Sequence, residues 1–422
     1  MSLLLFLIAG SVTAEPHHLS LLGQPPDWSR LDAFDETATF ATCDALLREV
    51  YAPPTGDTPY LHLDSANPAD NQPALLEIRG GPAGANLARV LSLAKDSSAV
   101  KTPPRYWHPR SGIPPAIEAA RPLAGVRIAL DPGHLGAAWA RLEERWFVIG
   151  EAKPVMEGEM TLLVAKLLAE RLRELGAEVS FVRENGEPAT AKRPADFLAT
   201  ARETLAARGI ADPPLTYAGP ADPNRQNSVQ WEAEHLFFRA EIQGRAERVN
   251  KTLQPALVLC LHFNAEPWGD PAKPELVDKN HLHLLINGCY APDEIANDDT
   301  RLEMLVKLLN RSHAEELALA QPVAAALAAA TGLPPYEYTR PNAQRVGPSP
   351  YVWARNLLAN RLYECPVLYL DPYVMNSPDV FVRVQAGDYE GERLVNGIRR
   401  KSIVREYADA VAAGLAEYYR GR

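Results

Sequence analysis

The chain has 422 residues, long enough for two to three domains at roughly 150 residues each. Hydrophobic residues at 46% and charged residues at 23% form an ordinary globular balance, which excludes wholesale disorder. Lys plus Arg number 43 against 53 for Asp plus Glu, a net charge of −10. With no Lys/Arg block, this excludes a nucleic-acid partner held mainly through phosphate contacts.

The N-terminus carries an apolar run, Leu3 to Ala9, far below the roughly 20 residues needed to cross a bilayer. Small residues at Val12 and Ala14 then read as a signal-peptidase site before Glu15. The expectation is a signal peptide over 1–14 and an exported protein, periplasmic or extracellular, with no membrane span in the mature chain. The n-region lacks Lys and Arg, and an apolar first strand is the other reading.

Residues 15–122 read as a loop-rich N-terminal accessory region, since 15 of the 37 prolines precede residue 125. Glu36 to Tyr51 has helical spacing. Tyr60 to Asp64 and Ala74 to Ile78 are strand candidates, and Lys101 to Pro115 suits an extended linker or strap. His62 and His108 stand alone and read as surface or structural residues.

At Gly125 the pattern changes, and 123–422 reads as the catalytic domain. Val126–Leu130 is a β-rich run ending in Asp131-Pro-Gly-His134. Met160 to Leu175 carries Val164, Leu168, Leu172 and Leu175 as a helical stripe, closed by Gly176. Strands are predicted at 177–182, 256–261 and 366–370, the second continuously apolar and therefore central and buried. Helices are predicted at 301–309, 313–331 and 402–420. This alternation predicts an α/β fold, a twisted, mostly parallel or mixed sheet with helices on both faces. Insertions near 184–231 and 266–300, and the stretch 334–350, interrupt the rhythm; loops of this length are usually functional or covering segments. Cys43, Cys260, Cys289 and Cys365 are widely spaced. That excludes a cysteine zinc knuckle and leaves one or two disulfides possible.

Three candidate metal ligands fall where α/β sheets place active sites, beyond strand C-termini. They are His134 in LDPGH, His262 in LHFNA and Glu157 in EGEMTLLVAKLL. Two imidazoles and a carboxylate leave a fourth tetrahedral position open, as in catalytic rather than structural zinc sites. Each residue also has a plainer explanation, as a hydrogen-bonded structural histidine or as an acidic residue placed by a helix dipole. HEXXH is absent.

These motifs, in this order, resemble the zinc-dependent N-acetylmuramoyl-L-alanine amidases of the amidase-3 type, which cut bacterial cell-wall peptidoglycan. The family's D-x-G-H loop is matched by Asp131-Pro-Gly-His134. Its E-G/K-x-x-N-L-x-x-A helix start is matched by Glu157 to Ala165, with Thr161 where Asn is commoner. The S-x-H-x-N-A strand end is matched by Cys260 to Ala265, and R-x-x-x-x-N by Arg245 to Asn250. The resemblance implies a phosphorylase/hydrolase-like fold and one catalytic zinc held by His134, Glu157 and His262. It also implies hydrolysis of the muramoyl–L-alanine amide in peptidoglycan or muropeptides.

The last motif departs from the family. Its P-x-x-L-x-E, followed by G-F-x-x-N, becomes Pro366-Val-Leu-Tyr-Leu-Asp371-Pro-Tyr-Val-Met-Asn376, one residue shorter. Asp371 then takes the place of the catalytic glutamate, with Glu364 as the other candidate. The position of Arg355 resembles the family's L-R segment, which faces substrate, so its guanidinium is expected to hold a peptide carboxylate or, equally, a structural acidic residue. Asn264 is expected to orient substrate and Asp131 to support His134 from behind. His281 and His283 alternate onto one strand face, as partly exposed polar residues or a second metal site. A zinc peptidase of the same fold and a non-catalytic peptidoglycan-binding protein are the alternatives.

Overall fold

The computed structural model describes residues 26–53, 58–66, 72–267, 269–270 and 273–420. The expected leader over residues 1–14 lies outside the described residues. The elements in chain order begin with α1 (Phe40–Leu46), β1 (Leu61–Asp64), β2 (Leu75–Gly80), β3 (Asn86–Ser92), β4 (Arg127–Pro132), α2 (Ala138–Leu142), β5 (Trp146–Phe147), β6 (Val155–Met156) and α3 (Glu157–Glu174). Next come β7 (Glu178–Phe181), α4 (Leu198–Ala207), α5 (Val229–Glu247), β8 (Leu257–Leu261), β9 (Leu282–Ile286), α6 (Pro292–Ile295), α7 (Asp298–Leu309) and α8 (Ser312–Thr331). The chain closes with β10 (Gln344–Arg345), β11 (Val352–Ala354), α9 (Leu358–Leu362), β12 (Val367–Pro372), α10 (Pro378–Gln385), β13 (Glu392–Val395), β14 (Ile398–Lys401) and α11 (Ile403–Tyr419).

Seven strands form one sheet in the order β10-β11-β9-β12-β8-β4-β7. β7, β4, β8 and β12 run parallel, whereas β9 is antiparallel to β12. The sheet is therefore mixed, and its parallel half is the part with apolar runs. Leu257 to Leu261 are buried throughout, as a strand covered on both faces must be.

One face carries Ile128, Leu130, Leu259, Leu261, Leu368 and Leu370 against α3, α8 and α11. Val164, Leu168 and Leu172 of α3 are fully buried in that layer, each stabilising the fold by roughly 1.5–3 kcal/mol. The opposite face sets Ala129, Val258, Cys260 and Val367 against α5 and α9. Helices on both faces are thus observed, and they leave the strand ends as the place where polar side chains can gather.

The small sheet β1-β2-β3 is not packed by itself. Leu31, Tyr51, Leu76 and Leu91 belong to the same buried cluster as the first face of the large sheet, and Cys289 and Tyr290 donate backbone hydrogen bonds to Val50 and Tyr51. All four cysteines are buried and free, so the disulfides left open by the sequence do not form. Among the described residues, no helix is long and apolar enough to cross a membrane.

Candidate metal centre

β4 ends at Pro132 and the chain turns at once through Gly133 into His134. A Cβ on Gly133 would lie 2.2–2.5 Å from the His262 ring, so only glycine lets the two loops approach this closely. His134 itself has φ of +59°, a left-handed conformation that costs about 1 kcal/mol or more for a residue with a side chain. The buried Arg183 stabilises it by donating from Nη2 to the carbonyls of Pro132 (2.6 Å) and His134. Its Nη1 donates to the carbonyl of Asn185 at 2.7 Å.

Glu157 opens α3, where the helix dipole favours a carboxylate. A Cβ on the following Gly158 would stand 2.2 Å from the Leu135 carbonyl oxygen, so the E-G pair is required for α3 to reach the His134 loop. Thr161 Oγ1 donates to the Gly133 carbonyl at 2.7 Å and joins the same two pieces. His262 follows β8, its backbone N–H bonded to the Leu370 carbonyl at 2.9 Å and its ring stacked on Tyr369 at 4.6 Å.

The three side chains converge. One potential ligand atom from each of His134, Glu157 and His262 lies within 4.8 Å of the others. Glu157 Oε1 is 3.5 Å from His134 Nε2 and 3.2 Å from His262 Nδ1, and it accepts the Phe263 N–H at 3.2 Å. The two imidazoles stand at right angles, 5.1 Å apart. Burial opposes ionisation of Glu157, yet His134, the His262 contact and Arg145 hold its carboxyl below the ordinary value.

Two neighbours escaped the sequence reading. Glu143, just after α2, places Oε1 3.1 Å from His134 Nδ1 and accepts the Leu135 N–H on Oε2 at 2.7 Å. The carboxylate stands behind the imidazole at ion-pair distance, the place of an orienting outer partner, without hydrogen-bond geometry. The other is Arg145, whose Nε donates to His134 Nε2 at 3.1 Å and lies 3.6 Å from Glu157 Oε2. A cation therefore already sits on the donor atoms, and the cluster's chemistry, two imidazoles and a carboxylate, suits one.

Asp131 does not support His134. It turns beneath the sheet, where Oδ1 accepts from Arg245 Nη1 at 3.0 Å and Oδ2 from the Tyr363 hydroxyl at 2.6 Å. Glu143 stands where Asp131 was expected. Arg245 and Asn250 are props: Arg245 also binds Glu241, and Asn250 donates to the Leu362 carbonyl.

Asp371 lies at the C-terminal end of β12, two residues past the Tyr369 that stacks on His262. Glu364 precedes the same strand and pairs with Arg30 at 2.8 Å, at the opposite end from His262. Asn264 joins the loop after β8 to the loop after β12, since its N–H donates to the Tyr373 carbonyl and its carbonyl accepts the Met375 N–H. Its own Oδ1 accepts the Ala265 N–H at 2.7 Å. Arg355 donates from Nη1 to the Tyr338 hydroxyl at 3.3 Å. His281 and His283, expected to be partly exposed, are only 7% and 2% exposed, because Tyr336 packs on both rings and Tyr338 on His283. His281 Nε2 is 3.1 Å from Glu266 Oε1. Among the described residues, His134, Glu157 and His262 form the one cluster of three with ligand spacing, and His281 and His283 belong to no other.

The 184–231 insertion has a structural task. Phe197, Ala201 and Leu205, from its helical patch, pack with α5 onto Leu135, the residue after His134. Gly136 donates to the Gly186 carbonyl at 3.1 Å.

No protein-family profile matches the chain, and no curated protein sequence matches it. Solved structures similar to it include the apo N-acetylmuramyl-L-alanine amidase Ami1 from Mycobacterium abscessus, 17% identical, covering 70% of this chain and 99% of that one, TM-score 0.36. The amidase AmiC2 of Nostoc punctiforme is 14% identical over 70% of this chain and 98% of its own, TM-score 0.37. The CwlD amidase from Clostridioides difficile, solved with the GerS lipoprotein, is 11% identical over 69% and 96%, TM-score 0.37.

Proposed function

We propose that this chain is an exported zinc amidase that hydrolyses the N-acetylmuramoyl–L-alanine amide of peptidoglycan. The observation that carries the reading is the convergence of His134, Glu157 and His262, with ligand atoms within 4.8 Å of one another at the C-terminal edge of the sheet. These three residues would hold the metal, and Glu143 would orient His134. When bound, zinc polarises an amide carbonyl and acidifies water near neutral pH. Asp371 is the proton carrier: its carboxylate takes a proton from the attacking water and returns it to the departing nitrogen of L-alanine. Asn264 keeps the two loops that carry His262 and Asp371 in register, and Arg355 offers a guanidinium to a stem-peptide carboxylate. Residues 15–122 serve as an accessory scaffold to a catalytic unit over 123–422. The leader over 1–14 delivers the protein to the periplasm or outside the cell.

The test is mass spectrometry of defined muropeptides incubated with the purified protein, with zinc and with chelator. Separate sugar and L-Ala-terminated peptide masses, lost on chelation, are the expected result. Cleavage at a peptide bond instead would make the chain a zinc peptidase. One observation favours a non-catalytic muropeptide-binding protein, namely the Arg145 guanidinium on the donor atoms of His134 and Glu157. Intact muropeptide that remains bound to zinc-free protein would establish that second reading.

A further inference from the structure

Asp371 is one methylene shorter than a glutamate, and the fold gives it a partner that no motif assigned. β9 and β12 are antiparallel and pair His283 with Asp371, so both side chains leave the same sheet face directly opposite each other. His283 Nε2 lies 3.3 Å from Asp371 Oδ2. The remaining polar atoms, His283 Nδ1 and Asp371 Oδ1, are buried without a hydrogen-bond partner among the described residues. The imidazole is boxed in by Tyr336, 5.0 Å away, and by Tyr338, edge-on at 5.6 Å and 82°. Both tyrosines come from the irregular 334–350 stretch, which is fastened to β9 by Leu282 donating to the Pro334 carbonyl and Tyr336 donating to the Leu282 carbonyl. Burial opposes ionisation of Asp371, but His283, with His262 and His281 beyond it, holds the carboxyl below its ordinary value.

We propose that His283 is the positioning residue for Asp371: it donates from Nε2–H to Oδ2, fixes the carboxylate rotamer, and leaves Oδ1 as the atom that takes and returns the proton. This rests on the reading of Asp371 as proton carrier given above. A short side chain has little freedom to search for the reacting water, so a cross-strand donor set by backbone register replaces reach with aim. The 334–350 stretch then acts as the clamp that keeps the imidazole in place.

The test uses the zinc-loaded full chain. His283→Ala is expected to lower kcat by about 10- to 100-fold, the usual loss for a removed outer partner, with KM for muropeptide within about twofold and zinc content unchanged. His283→Gln, whose amide nitrogen reaches the Nε2 position, is expected to recover most of kcat. An unchanged kcat in His283→Ala overturns the proposal, as does a glutamine variant no better than alanine when both remain folded and zinc-loaded. A readout independent of substrate is the 15N–1H spectrum of the His283 imidazole, expected to show the proton on Nε2 and to shift in Asp371→Asn. A spectrum that Asp371→Asn leaves unmoved also overturns the proposal. A spectrum that shows the contact while wild-type protein leaves every muropeptide intact removes the amidase reading and keeps the pair.

Discussion

Among the clusters of buried charge on this sheet, two differ sharply in how completely their polar atoms are used. At the N-terminal side of β12, Lys307 and Glu316 have fully buried side chains. Lys307 Nζ reaches Glu316 Oε1 at 2.7 Å and the carbonyls of Cys365 and Tyr363 at 2.8 and 3.2 Å. Glu316 also accepts the backbone N–H of Val367 and Asn287. Every valence is spent on the protein itself. At the C-terminal edge, His134 Nδ1 faces Glu143 without hydrogen-bond geometry, and His281 Nδ1, His283 Nδ1 and Asp371 Oδ1 have no hydrogen-bond partner. Buried polar groups left open are costly. The first cluster holds the fold together, whereas the open atoms of the second suit the metal and substrate proposed for that edge.

Breaking each cluster should therefore give opposite signatures. The largest effect is expected from Glu157→Ala, which removes the anionic ligand: zinc retention falls to background by elemental analysis and turnover disappears, while the fold persists by circular dichroism. Zinc retained at one per chain would exclude Glu157 as an essential ligand. Asp371→Asn comes next, with zinc kept and kcat lowered by about 10²- to 10⁴-fold, the range expected for a lost proton carrier. Unchanged turnover there would remove Asp371 from the mechanism. Lys307→Met attacks the saturated cluster and should cost about 3–5 kcal/mol in urea unfolding, because the Glu316 charge is stranded. Its activity per folded molecule should match wild type. The smallest effect is assigned to Arg145→Met, which clears the resident cation from His134 and Glu157. Losing that charge-assisted contact, roughly 1.5 kcal/mol, should tighten zinc binding about tenfold in a chelator competition.

How much of this was legible from residues alone follows from how local each constraint is. The D-P-G-H and E-G motifs are readable because glycine is demanded at Gly133 and Gly158 by approaches of 2.2–2.5 Å. The α3 stripe was readable through its period, although the helix begins at Glu157 rather than Met160. Glu143 and Arg145 were missed because they follow a five-residue helix with no periodic pattern, and only the fold of that short segment back on the His134 loop, where the Leu135 N–H donates to Glu143, brings them to the site. β3 and α5 were missed too; α5 has Glu, His, Arg and Gln scattered among its apolar residues, and its burial comes from packing on both the His134 loop and the sheet.

The sequence by itself determined the strand–helix alternation and the three ligand candidates, since each is written in consecutive residues whose spacing is physically constrained; Asp371 was offered only through a family resemblance. Tertiary structure alone decided which carboxylate stands behind His134 and that His283 faces Asp371. Those facts depend on strand order and on the reversal of β9 against β12. Side chains far apart in sequence meet only through that register, and no local pattern of residues encodes it.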